Sequence, residues 1–201
     1  MRPKQINFDT LANDTDYLAS SQQLAAAGYL ALLPAAAGKF IPQKVTLTSA
    51  GNIATVVFTI VGLGQNGEPQ TEDITGINGN TVASTLYYTA ITSIYGDAGT
   101  GASSVEAGIN GIASFIYPVD PYCHGNRIMV SGTFVATYTV FWSNQKILAG
   151  ETPVWVAEAD QTDKTGVTGL HYDGGITAFK YEITAYTSGA PVFSHSDQKS
   201  V

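Results

Sequence analysis

The chain has 201 residues, enough for one β domain or two small ones, and 44% of them are hydrophobic, which excludes global disorder. Charged residues make up 12%, about half the usual share, and the net charge is −7 with no cluster of lysine or arginine, which excludes a grip on a nucleic-acid backbone. The single cysteine, Cys123, excludes an internal disulfide and a multi-thiolate metal site.

In chain order, residues 1–16 read as a polar, irregular arm for a surface or a neighbouring subunit, without the apolar core of a signal peptide. Residues 17–38 carry no charge, yet only residues 24–33 are continuously apolar, short of the about 20 that a membrane span needs. Both points imply synthesis in a cytoplasm and no membrane partner. Alanine and leucine content favours a helix over residues 16–27, capped by Asn13 or Asp14. Against it, Leu18 and Leu24 do not keep helical spacing and Gly28 breaks the run, so strand and helix both stay open here. Any helix is confined to residues 14–27.

Residues 45–95 then alternate apolar and polar with a period of two, the mark of a strand with one apolar face. Ala54, Val56, Phe58 and Ile60 share one parity, which predicts Phe58 and Ile60 in a core. Asn66-Gly67 and Asn78-Gly79 are turn dipeptides. They bracket a short strand over residues 71–77 and precede a long uncharged one over residues 81–95, so the stretch reads as a meander. An uncharged strand edge of that length invites pairing with another chain. Residues 97–104 read as a loop, 105–112 as a strand, and 115–125 as a module boundary. In the second module, residues 128–133, 136–142, 154–157 and 177–186 read as strands, and alternation puts Phe179 and Ile183 in its core. The predicted fold is all-β: an arm over residues 1–38, then two small antiparallel β-sandwich or jelly-roll-like modules over residues 39–117 and 118–201.

The run VTLTSAGN from Val45, followed by FTIVGLGQNGEPQTEDITGINGNTVASTLYYTAITSI from Phe58 and a Gly/Ala/Ser-rich loop, resembles a family of tailed-bacteriophage virion proteins. The resemblance continues through SSQQLAAAGYLALLP upstream and YPVDPYCHGNRIMVSGTFVATYTVFWS downstream, covering residues 20–145. It implies a strand over residues 29–33 and a non-enzymatic role in the virion. The first expectation is a capsid decoration (cement) protein bound to the major capsid protein and its neighbours. A neck or tail component, such as an adaptor or nozzle ring, is the alternative within the class, and a receptor- or carbohydrate-binding module of a fibre or spike is the rival outside it. Where relatives place acidic residues after a second-module strand, Phe141-Trp142-Ser143-Asn144 stands here, which removes any ion or partner held through them.

Reactive constellations are sparse. Cys123-His124 are adjacent and lack further ligands or a spaced base, so they read as junction residues. His171 and Asp173 supply two ligands without a third, and His195 falls in a polar tail. Glu72 and Asp73 point to opposite faces of a strand, which rules out a glycosidase pair; with Asp14 and Asp16 they read as surface carboxylates. No cofactor motif occurs, and neither a metal nor a cofactor is expected. Trp142, Trp155 and the loop tyrosines are the aromatics a sugar-binding module would use. Eleven tyrosines exceed what two small sandwiches need inside. This nominates Leu24, Tyr29, Leu30, Tyr87, Tyr88, Tyr95, Tyr117 and Tyr122 as an interface. The expected assembly is a homo-oligomer, with a trimer favoured by the threefold points of an icosahedral shell.

Overall fold

A computed structural model describes residues 4–7, 13–38, 41–119, 125–145, 152–172 and 176–198. Among the described residues the protein is all-β apart from two short helical turns. It forms two compact units, Ala12–Ala113 on one hand and Met1–Leu11 with Ser114–Val201 on the other. The first strand, β1 (Lys4–Asn7), pairs antiparallel with the C-terminal strand β15 (Val192–Gln198). Residues 4–7, expected in an irregular arm on the surface or on a neighbouring subunit, are thus a sheet strand.

The unit Ala12–Ala113 is a sandwich of two antiparallel four-stranded sheets. One contains β2 (Asn13–Gln22), β4 (Gln43–Asn52), β7 (Asn78–Tyr88) and the first nine residues of β9 (Val105–Pro118), in the order β2-β9-β4-β7. The other contains β3 (Gly28–Tyr29), β5 (Val57–Leu63), β6 (Pro69–Thr75) and β8 (Ala90–Gly96), in the order β3-β8-β5-β6. Their inner faces meet in one apolar cluster that includes Val45, Leu47, Ile109, Phe58, Ile60 and Ile94. Phe58 and Ile60 are fully buried, as the alternation requires.

Two sequence expectations fail here for identifiable reasons. Residues 13–22 are a strand and not a helix. Leu18 and Ala19 are both buried although adjacent, because β2 slips register against β9 on either side of Ala19. The bare backbone of Gly108 admits this strand; a Cβ there would collide with the backbone of Asp14 and Thr15. The α-helical turn α1 instead covers Pro34–Ala37, outside the predicted window, with proline in its first turn. Beyond β3 the expected strand over residues 29–33 ends early. Leu30 still donates to the carbonyl of Ile94 (2.9 Å), but Leu33 donates to Leu18 (2.8 Å), so the chain swings from β8 to β2.

The meander is also corrected. The Asn66-Gly67 hairpin turn forms between β5 and β6, with Gly67 at φ 78°. The predicted long strand, however, breaks at Thr89 into β7 and β8, which lie in opposite sheets. There Thr89 closes a corner: its N–H donates to Leu63 O (2.8 Å) and its hydroxyl reaches Gly64 O (3.0 Å). Asn78-Gly79 likewise opens β7 after the chain has crossed between sheets, and makes no hairpin.

In the other unit one sheet has the order β1-β15-β10-β13, with β10 (Gly125–Ser131) and β13 (Thr168–Tyr172). Facing strands are β11 (Phe134–Ser143), β12 (Val156–Ala157) and β14 (Ala178–Gly189), in the order β12-β11-β14. Here β14 has β9 as its other neighbour, whose residues 114–118 belong to this unit. Phe179 and Ile183 are fully buried, as predicted. Phe193 of β15 packs against two rings of the facing sheet, Tyr138 at 5.5 Å and Tyr181 at 4.6 Å between centroids.

Tyr138 and Tyr88 are phenols whose burial shows in their chemistry. Burial pushes Tyr138, which donates to Gly166 O at 2.7 Å, up to about 12. Tyr88 is raised further, first by burial and then by the nearby charge of Glu72. An unfolded tyrosine loses its proton near pH 10, so above that the unfolded chain binds fewer protons than the folded one. Stability should therefore hold below pH 10 and fall as pH rises toward 12. Urea midpoints at pH 9 and at pH 11.5 measure this, with the slope flattened in Tyr88→Phe. An unchanged midpoint would mean that neither phenol is held protonated by the fold.

Candidate functional site

Among the described residues, no group of three or more His, Cys, Asp or Glu side chains converges, and no helix is long and apolar enough to cross a membrane. Tyr122, Cys123, His124 and Asp173 lie outside the described residues. His171 and His195 fall on β13 and β15, where their backbones pair with Arg127 and with Ile128, respectively. The placement of His195 corrects the polar-tail reading. An open apolar groove of about 520 Å³, lined in part by Leu33, Pro34, Leu63 and Ile91, has no titratable side chain among the described residues of its wall.

The tyrosine and leucine set nominated as an interface divides in two. Leu24, Leu30 and Tyr88 are buried in the core of this chain, so their side chains have no surface left for a partner. Tyr87 and Tyr117 are half-buried, and the ammonium of Lys44 lies 5.6 Å from the Tyr87 ring centre. Tyr29 is 68% exposed, with its ring 5.0 Å from that of Tyr95 at an interplanar angle of 60°.

Glu72 is not a free surface carboxylate. It sits opposite Ile60 on the core-facing parity of β6, at the edge of its sheet. From there its carboxylate accepts from the Thr85 N–H and hydroxyl (both 2.7 Å) and the Leu86 N–H (3.2 Å) of β7 in the opposite sheet. Gln70, two residues earlier, donates to Tyr87 O at 2.8 Å. The pair latches the two sheets along one side. The signal available in the sequence was parity, since Gln70, Glu72 and Ile74 share a face.

Asp73 takes the other face. It accepts from the Thr59 hydroxyl at 2.7 Å. Pair by pair, Tyr29 stands opposite Tyr95, Tyr95 opposite Thr59, and Thr59 opposite Asp73. These four residues form one row across the outer face of the sheet β3-β8-β5-β6. The remaining acidic neighbours lie elsewhere: the Asp16 carboxyl is held above its usual range by a hydrogen bond to Asp14 and by that group's charge, with Glu106 adding to it.

In the other unit, Trp155, one of the two tryptophans proposed for sugar contact, is already engaged. The Lys180 ammonium lies 3.9 Å from the centre of the Phe141 ring and 5.7 Å from that of Trp155, and pairs with Glu182 at 3.0 Å. Trp142 is half-buried on β11.

Fold and site together define an all-β sandwich protein with an open, nearly uncharged sheet face. No family model matches the chain, and no curated protein matches it in sequence. Among solved structures it is similar to the PBSX exported protein XepA, at a TM-score of 0.30 and 11% identity, over 97% of this chain and 86% of that one.

Proposed function

We propose that the chain is a non-enzymatic structural protein of a tailed-phage virion, decorating the capsid by adhesion to the major capsid protein. The observation that carries this reading is where the resembling residues fall. Residues 45–95 build strands β4 to β8, the Thr89 corner and the Glu72 latch, that is, a stiff module without a reactive cleft among the described residues. Exposed aliphatic side chains on the other unit, Val135 (58%), Val154 (62%) and Val167 (66%), supply surface that a capsid neighbour would bury. Assembly as a homo-oligomer, a trimer by the symmetry argument, is part of the same proposal. The test is the copy number in purified virions, from a quantified gel. Decoration requires a number comparable to the major capsid protein. A number that fits one ring transfers the protein to the neck or tail, and absence from virions ends the reading.

A further inference from the structure

We infer that the outer face of the sheet β3-β8-β5-β6 binds a neutral glycan chain, with Tyr29 and Tyr95 as the stacking rings and Asp73 as a fixed acceptor for sugar hydroxyls. This inference rests on that sheet alone and does not depend on a place in a virion.

The row Tyr29–Tyr95–Thr59–Asp73 contributes one side chain from each of four strands. Strands lie about 4.8 Å apart, a step close to the length of one pyranose in a linear chain. A glycan laid across the strands therefore meets a new side chain at each sugar. At one end it finds Tyr29, exposed over most of its surface and braced by Tyr95. A sugar ring has an apolar C–H face that stacks on an aromatic ring, and tyrosine adds a hydroxyl at the rim. At the other end it finds Asp73. One of its oxygens is held by Thr59, which orients the group, and a carboxylate has acceptor capacity beyond a single bond.

Charge selects among glycans. The adjoining rows are Ser93–Val61–Thr71 and Val57–Thr75, so these rows carry hydroxyls and aliphatic groups and no lysine or arginine. With Asp73 in the row and a net charge of −7 on the chain, sulfated or phosphorylated chains are repelled. The same carboxylate argues against an apolar protein partner, because covering it without a hydrogen-bond donor is costly. Sugar hydroxyls donate to it while leaving the site wet.

Affinity electrophoresis of the full chain in gels containing hydroxyethylcellulose, glucomannan or dextran sulfate tests the inference. At least one neutral polymer should retard the protein. Tyr29→Ala should weaken that retardation roughly tenfold or more, as loss of an aromatic anchor does. Tyr29→Phe should retain most of it, and Asp73→Asn should weaken it less. Thermal melts should show Tyr29→Ala folded as wild type, since the side chain is largely solvent-exposed. Failure of both neutral polymers to retard the protein overturns the inference. So does equal retardation of Tyr29→Ala, or stronger retardation by dextran sulfate.

Discussion

Removal of residues 1–20 should unfold the Ala12–Ala113 unit and not merely detach an arm. The deletion takes most of β2, including the fully buried Leu18 and Ala19. It also strips the backbone that lies over Gly108 and the Leu18 carbonyl that receives Leu33 N–H. Losing one buried leucine side chain alone costs about 2–5 kcal/mol, against a total stability of about 5–15 kcal/mol for a typical domain. A lost strand also leaves β9 without its β2 partner along one edge. β1 goes too, which uncovers an edge of β15 in the other unit. Far-UV circular dichroism and urea titration of the truncated chain check this, with Leu18→Ala as the milder companion. If the truncated chain keeps the wild-type melting profile, β2 does not contribute to the core and residues 1–20 are an arm after all.

Phe193→Ala should cost about 3–5 kcal/mol. The ring is 1% exposed and stands perpendicular to Tyr138 while tilted against Tyr181. Its removal leaves a void between two sheets and forfeits two aromatic contacts, each worth about 0.5–1.5 kcal/mol beyond area. The cavity cannot collapse easily, because Tyr138 is tethered through its hydroxyl to Gly166. Val135→Ala, on an exposed strand position, is the control and should stay within about 0.5 kcal/mol of wild type. A loss under about 1 kcal/mol for Phe193→Ala would mean that the ring does not bridge the sheets.

The alternation around Phe58 and around Phe179 was legible because each strand has one buried face, and a period of two survives in the sequence whatever its neighbours are. Connectivity was not legible. A run such as residues 81–95 reads as one strand, since crossing between sheets at Thr89 needs only a single corner residue with two carbonyls to bond. β2 escaped because a bulge placed two adjacent residues inside, which breaks the period that identifies a strand. β15 escaped because Phe193 is its one large apolar inward side chain in a polar-looking tail. For the candidate site, Tyr29 and Tyr95 were recognisable as surplus aromatics, but grouping them with core residues such as Tyr88 shows the limit of composition. Their company with Thr59 and Asp73 depends on register, a long-range property.

The latch from Gln70 and Glu72 to β7 bears on how the chain behaves when crowded. A strand as long and uncharged as β7 would ordinarily template addition of another molecule along its free edge, the first step toward amorphous or fibrillar deposits. Here Glu72 accepts from the amides of Thr85 and Leu86, and Gln70 donates to the carbonyl of Tyr87. The backbone groups that an incoming strand would need are already taken over that segment. A glutamate that looks like a solubilising surface charge therefore also guards a strand edge against misassembly.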